Sequence, residues 1–354
     1  MRCILCAADV RAVKRLRIIR NKDYDYDGIM MMIERASADA LMDIVMKGAE
    51  EVVTVEDLRN ALTTGDELSV YAGYEPSGSV HLGHLLTLHK LKEMQDAGFR
   101  VIVLLADLHA YLNEKGDFDE INKIAEYNKR CFIATGLDKA EFILGSSFQL
   151  GHEYMLNVLK LAAMTSLQRA RRSMDEISRS KENPKVSQMI YPLMQAVDIA
   201  FLGVDIAVGG TDQRKIHMLS REYLPKLGFK APVCVHMPII LGLDGTKMSS
   251  SKGNFIALDD DENEIRRKIR NAFCPPRSTA DENPILQIYK NVIFQHFEEI
   301  TVERDAKYGG DLTYKRYEDV EYDYVNGNLH PLDLKMNASR YLNRILEPIR
   351  RRLR

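Results

Sequence analysis

The chain has 354 residues, of which 45% are hydrophobic and 28% charged. That is enough apolar material for a sizeable core and, at about 150 residues per domain, for roughly two domains. Lys and Arg number 49 against 51 Asp and Glu, a net charge of −2. Global charge therefore marks neither a histone-like nucleic-acid binder nor a membrane-surface protein, although local basic faces stay open. The apolar content excludes collagen-like, mucin-like and disordered classes. Five scattered cysteines exclude a disulfide scaffold and point to a reducing, cytoplasmic setting.

The first 32 residues differ from the rest and are read as an N-terminal extension, or as an artefact of start-site choice at Met30, Met31 or Met32. Their basic, weakly apolar start lacks the sustained apolar stretch of a signal peptide. Cys3 and Cys6 form a single C-x-x-C with no second Cys or His pair, so they read as ordinary thiols. The longest apolar run, from Val101, stops at Asp107, far short of the ~20 residues of a spanning helix.

A helical pattern begins near Ile33. From Ser69, short β-rich runs then alternate with helical stretches. Strands are expected at 70–74, 101–105, 141–145, 204–210 and 233–236. Helices are expected from Leu82 to Ala97 with Gly98 as the stop, from Asp119 to Thr135 closed by Gly136, from Tyr154 to Ser180 as one long helix, and from Gln213 to Leu224. Apolar strands separated by helices imply a parallel sheet covered on both faces, with ligands at the carboxyl ends of the strands. This fold class is a doubly wound, Rossmann-like α/β domain over 33–256. After Ile256 an acidic run, a helix from Glu264 to Ala272 and a Pro-Pro break lead into a smaller, mainly helical domain over 257–354.

Two segments carry chemistry. The first is Glu75-Pro-Ser-Gly-Ser-Val-His-Leu-Gly-His84, where a strand runs through a turn into a helix. A helix N-terminus offers N–H groups and a positive dipole end to phosphate, and Gly83 allows close approach. His81 and His84 are three apart on one face and can donate to phosphoryl oxygens as charge develops. The second is Lys247-Met-Ser-Ser-Ser-Lys-Gly253, a Lys- and Ser-rich loop suited to a mobile lid over polyphosphate. The Walker pattern is absent, which excludes a P-loop NTPase.

These segments resemble the two signatures of the class I aminoacyl-tRNA synthetases. From about Val55 to the C-terminus the chain is similar, within that family, to the archaeal and eukaryotic-type tyrosyl-tRNA synthetases. The likeness covers Tyr71–Gly78, Leu105–Asn113, Asn183–Val186, Tyr191–Ile199, Gly209–His217 and Asn328–Lys335. Ser250 stands where the general signature has its second lysine, with Lys252 two residues on.

The resemblance implies tyrosine activation with ATP and transfer to the 3′ end of tRNA(Tyr). It assigns catalysis to His81, His84, Lys247, Ser249 and Ser250. Tyrosine would be bound by Tyr71, Gly73, Glu75, His109, Tyr191, Gln195, Asp198 and Gln213, with Leu104 and Ala106 lining the ring pocket or simply filling core. Tyr191, Gln195 and Asp198 share one helix face by spacing, and the plain alternative is a polar stripe on a helix begun by Pro192. ATP would be bound by Gly83, Gly209, Gly210, Asp212, Lys247, Ser250 and Lys252. tRNA would meet Arg214, Lys215, Tyr308, His330 and Asp333. Arg169, Arg171 and Arg172 read equally well as phosphate contacts or as a solvated face.

Mg²⁺ is expected only as the ATP complex, with no dedicated protein metal site. No membrane partner is expected. A homodimer is expected from the likeness and from the apolar helices flanking Cys131. The rivals are a tryptophanyl-tRNA synthetase of the same fold, a nucleotidyltransferase sharing only the histidine motif, and a non-catalytic synthetase relative that binds RNA. Asp198 with Tyr71 favours a phenol over an indole. The Lys-Met-Ser loop and the helical tail disfavour the nucleotidyltransferase, and the complete set of site residues disfavours a silent relative.

Overall fold

A computed structural model describes residues 37–64, 67–175, 177, 185–248 and 252–354. The chain divides into two compact units. The first takes the chain as far as Glu75 together with His89–Phe118 and Lys139–Met237. The second takes Pro76–Leu88, Asp119–Asp138 and Pro238–Arg354. The extension over 1–32, with Cys3 and Cys6, lies outside the described residues.

The first unit is built on a six-stranded sheet of β1 (Glu51–Val53), β2 (Ser69–Tyr74), β3 (Arg100–Leu105), β4 (Glu141–Leu144), β5 (Ile206–Gly210) and β6 (Val233–Met237), in the order β1-β6-β5-β2-β3-β4. β2 to β6 are all parallel, and the strand order reverses between β2 and β5. That reversal is the doubly wound arrangement expected, and the crevice at the carboxyl ends of β2 and β5 is where such sheets bind ligands. The five expected strands are all present. β1, which pairs antiparallel with β6, was not anticipated. Three residues carry too short a pattern to be read from sequence.

Helices cover the sheet because the strands are apolar on both faces. Tyr71, Ile102, Leu104, Ala106, Ile199, Ala207 and Leu224 form one core cluster, so Leu104 and Ala106 serve as core there. Tyr154, Val158 and Leu161 pack with Leu193, Met194 and Val197 in another.

The Leu82–Asp96 helix ends as expected: Gly98 has φ +97°, and the N–H of Phe99 reaches Met94 O at 3.0 Å. The single helix expected from Tyr154 to Ser180 is instead two, His152–Met164 and Leu167–Met174. Thr165 and Ser166 are extended, and Ser166 Oγ accepts the N–H of Arg169 at 3.2 Å. A hydroxyl that caps a new helix breaks the old one. Pro192 lies inside the Val186–Phe201 helix and does not begin it.

In the second unit the Pro331–Leu353 helix buries Leu334, Ala338, Leu342, Ile345 and Ile349, a continuous apolar stripe, and packs with Ile265 and Ile269 of the Glu262–Asn271 helix. The mainly helical tail also holds an unexpected hairpin of β7 (Ile300–Val302) and β8 (Leu312–Tyr314). Cys131, in this unit, is fully buried, as are Ile121, Ala125 and Phe132 of its helix.

Ser166→Ala should destabilise the first unit by about 1 kcal/mol, read as a lower urea midpoint with unchanged m-value. An unmoved midpoint would mean that packing alone sets the break between the two helices.

Candidate active site

The carboxyl ends of β2 and β5 gather the first unit's polar side chains. Asp198, on the inner face of the Val186–Phe201 helix, is wholly buried. Its Oδ1 accepts from Gln149 Nε2 and from Tyr154 Oη, each at 2.7 Å. Its Oδ2 has no hydrogen-bond partner among the described residues, and neither does His109 Nε2, which lies 3.6 Å from it. Burial pushes the Asp198 carboxyl up to about 7, against the two donors that favour its anion. Burial likewise takes His109 down to about 4, so the imidazole is neutral. Two orphaned polar atoms side by side in a buried place are costly unless a ligand satisfies them.

Tyr71 on β2 is also buried, and burial together with the negative charge of Asp198 raises its phenol well above the ordinary value. Its ring folds back over Gly73: a Cβ at Gly73 would stand 2.5 Å from Tyr71 Oη. At the strand's end Glu75 accepts from Asn113 Nδ2 at 2.9 Å and Tyr191 Oη at 3.2 Å, and pairs with Lys115 at 3.2 Å. Tyr191 in turn stands edge-on to His109, with ring centroids 4.5 Å apart. Gln195 Nε2 donates to Gln213 Oε1 at 3.0 Å. All eight of Tyr71, Gly73, Glu75, His109, Tyr191, Gln195, Asp198 and Gln213 lie in the first unit, where contacts link Asp198 to His109, Tyr191 and Glu75 in turn and pair Gln195 with Gln213.

Gly209 and Gly210 end β5, followed by a single turn over Thr211–Gln213 that holds Asp212. A Cβ at Gly209 would lie 3.0 Å from Gln213 and 3.2 Å from His217, so a larger residue would crowd both side chains at the strand end. Arg214 and Lys215 open the next helix and are paired with Glu51 and Asp175. Arg169 pairs with Glu222 at 3.3 Å, whereas Arg171 and Arg172 are exposed.

The second unit holds the other two segments. Both of its signature histidines are locked by their own backbone. Gly83 N–H donates to His81 Nδ1 and His81 N–H donates to His84 Nδ1, each at 3.2 Å. Nδ1 is the acceptor in both rings, so each neutral imidazole carries its proton on Nε2. Burial holds His84 down to about 4 and His81 well below its ordinary value. The two rings lie tilted against each other, with centroids 4.0 Å apart.

The helix N-terminus differs from expectation. Leu82 N–H goes to Ile256 O at 3.1 Å, Gly83 N–H to His81 Nδ1, and the N–H groups of His84 and Leu85 to His81 O. The donors suited to an anion are thus the imidazole Nε2–H groups, not the backbone amides.

The Lys-Met-Ser loop belongs to the same unit as these histidines. Its base is a short hairpin in which Leu241 bridges Lys247 and Asn254 donates to Asp244 Oδ1, Thr246 Oγ1 and Lys247 O. A Cβ at Gly242 would fall 2.2 Å from Asn254 Nδ2, so this packing demands glycine. A Cβ at Gly83 would lie 3.5 Å from Met248 Sδ, and His81 forms a β-bridge with Ala257 beyond the loop. Lys247 is exposed, and Lys252 Nζ donates to Thr246 Oγ1 at 3.1 Å. Ser249 and Ser250 lie outside the described residues.

In the tail, Tyr308 is exposed on a one-turn element with Lys307 Nζ 4.8 Å above its ring. His330 caps the last helix by accepting Leu332 N–H at 3.1 Å, and Asp333 sits in its first turn.

Gln149 and Tyr154, which hold Asp198, were not anticipated. They lie 49 and 44 residues from it in sequence, so no local spacing could reveal the contact.

Over residues 63–347 the chain matches the sequence family described as tRNA synthetases class I (W and Y). It is 59% identical over 312 residues to the tyrosine–tRNA ligase of Archaeoglobus fulgidus, covering 88% of this chain and 96% of that protein. It is 58% identical over 311 residues to the tyrosine–tRNA ligase of Methanococcoides burtonii, covering 87% of this chain and 98% of that protein. Among solved structures it is similar to the crystal structure of the Archaeoglobus fulgidus tyrosyl-tRNA synthetase complexed with L-tyrosine, at TM-score 0.85 and 58% identity, covering 90% of this chain and 100% of that one.

The pocket has a measurable signature in pH. Asp198 has its folded pKa raised, from 3.8 to about 7, so its stabilising contribution is complete below about pH 3.8 and is lost as pH rises through 7. His109, depressed from 6.5 to about 4, acts in the opposite sense, because folding expels its proton between those values. The two offset each other in the wild type. Asp198→Asn should expose the histidine's slope, with stability rising by up to one proton's worth of linkage between pH 4 and 6.5. Parallel stability–pH curves for the two proteins would refute the buried-carboxylate assignment.

Proposed function

The chain belongs to the class I tRNA synthetases of the tryptophan and tyrosine group, and from that premise we infer that it is a tyrosine–tRNA ligase. It activates L-tyrosine with ATP to tyrosyl-adenylate and transfers the tyrosyl group to the 3′ end of tRNA(Tyr). The observation that carries the choice of amino acid is Asp198 Oδ2, a buried carboxylate oxygen without a hydrogen-bond partner among the described residues. A phenolic O–H satisfies it. An indole, whose donor sits elsewhere on a larger ring system, and a phenyl ring, which has none, leave it unpaired at a cost of a few kcal/mol.

Each remaining role follows from chemistry. Tyr71 completes the hydroxyl site with Asp198, and Gly73 leaves room for it. Glu75, Tyr191, Gln195 and Gln213 form the polar set for the substrate ammonium, with His109 against the ring. The attacking carboxylate is ionised at neutral pH, so activation needs no general base. It needs alignment and donors on the α-phosphoryl oxygens. His81 and His84 present neutral Nε2–H groups for that purpose. Lys247 and the serines after it, Ser249 and Ser250, cover the pyrophosphate, with Lys252 at the loop's base. Gly83, Gly209, Gly210 and Asp212 hold the nucleotide, which enters as its Mg²⁺ complex. Arg214 and Lys215 meet the acceptor stem of tRNA. In the tail domain over 257–354, Tyr308 stacks and His330 and Asp333 hydrogen-bond in the anticodon, the usual chemistry of single-stranded RNA recognition. The chain works in the cytoplasm, with its tRNA.

The protein acts as a homodimer. The support is an apolar surface on the first unit, where Leu156 and Leu159 lie three apart on the His152–Met164 helix, and Leu150 and Leu167, each about 70% exposed, flank it in sequence. Large aliphatic side chains so exposed mark an interaction face.

ATP–pyrophosphate exchange with each amino acid in turn tests the activity: tyrosine should support it alone, and preference for tryptophan or silence with tyrosine would overturn the assignment. Asp198→Ala should cut the tyrosine-over-phenylalanine ratio by at least a hundredfold while ATP binding persists. Leu159→Lys should convert a dimer to a folded monomer in sedimentation velocity. A wild-type monomer would dismiss the proposed interface.

A further inference from the structure

A polar chain in the first unit runs from Arg214 through Glu51 and His236 to His217, and of these only the two histidines are buried. Glu51 stands on β1, directly opposite His236 of β6. Its carboxylate grips Arg214 by two bonds, Nε to Oε2 at 2.7 Å and Nη2 to Oε1 at 2.8 Å. Oε2 also lies 2.9 Å from His236 Nδ1. An imidazole facing a carboxylate donates, so His236 carries its proton on Nδ1 and its Nε2 is left to accept. His217 Nδ1, 3.0 Å away, supplies that proton. Burial keeps both rings neutral, with His217 down at about 3. His217 then passes under Gly209, at the end of β5. Every tautomer in the chain follows from the charge on Glu51.

This arrangement does little for stability. Arg214 has its side chain about half exposed, and exposed pairs contribute at most about 1 kcal/mol. What a bidentate carboxylate does supply is direction: it holds the guanidinium plane in one orientation and leaves Nη1 to other acceptors. A loose arginine follows phosphates, which carry no sequence information, whereas bidentate contact to a base edge needs a fixed plane.

We propose that Glu51, braced by His236 and His217, is a specificity-determining positioning residue that orients Arg214 toward the bases of the acceptor stem. The proposal rests on the assignment of Arg214 to that stem.

The test compares wild type, Glu51→Gln, Arg214→Gln and the double variant. Each is assayed for aminoacylation kcat/KM on tRNA(Tyr) transcripts with the native first acceptor pair and with that pair inverted, and the wild type and Glu51→Gln also for ATP–pyrophosphate exchange. Glu51→Gln keeps the side chain's shape but not its charge. It should lower the native-over-inverted ratio on the order of tenfold, mainly through KM for tRNA, with exchange within about twofold of wild type. The double variant should match Arg214→Gln alone, because the two residues act as one unit. If Arg214→Gln loses discrimination while Glu51→Gln keeps it, the positioning role is wrong and the assignment of Arg214 stands. If Arg214→Gln keeps discrimination, the assignment of Arg214 itself fails. Equal losses of exchange and charging in Glu51→Gln would reduce the residue to a structural one.

Discussion

A half-satisfied carboxylate governs this molecule. Asp198 is sealed from water, with one oxygen held by Gln149 and Tyr154 and the other left without a protein hydrogen-bond donor among the described residues. Such a group is expensive to bury, and a fold designed only for stability would fill the place with an apolar side chain. Its presence makes sense when a ligand hydroxyl completes it. The surrounding choices follow: a neutral His109, a glycine at position 73 so that a buried tyrosine can lie over the strand, and a helix face that carries Tyr191, Gln195 and Asp198 together.

The paired imidazoles at the start of the Leu82–Asp96 helix obey a different logic. There the histidines are fixed by short-range contacts with their own backbone, so each imidazole is held as a donor before any substrate arrives. The helix that bears them uses its terminal amides internally. Preorganised neutral donors suit a centre where negative charge grows on oxygen, since they need no reorganisation during reaction. The lysine-bearing loop rests on a rigid polar base of Asp244, Thr246 and Asn254. Lys247 and Lys252 are both exposed beside this base.

Much of this was legible in the residues. The parallel strands, the glycine stops at Gly98 and Gly136 and the histidine and lysine signatures are local patterns, and local patterns survive in sequence. Where the reading slipped, the cause was competition at short range or pairing at long range. Ser166 divides what looked like one helix, because a hydroxyl can serve a new N-terminus as well as continue an old turn. In the helix that carries Cys131, the residues Ile121, Ala125, Cys131 and Phe132 are buried. The apolar face left outside belongs to the His152–Met164 region, whose exposure no periodicity distinguishes from burial.

Short-range residue patterns carry the chemistry on offer: a doubly wound sheet, paired imidazoles at a helix start, a lysine-serine loop, and a polar stripe ending in an aspartate. These depend on spacings of a few residues, which the backbone converts directly into shared faces and turns. Tertiary structure alone decided which of those groups are satisfied and which are left wanting. Gln149 and Tyr154 reach Asp198, and Glu51 reaches Arg214 and His236 from more than 160 residues away, because the sheet's register brings them together. Hydrogen bonds form between neighbours in space, and a chain that reverses its strand order chooses those neighbours without leaving a mark on any short stretch of its residues.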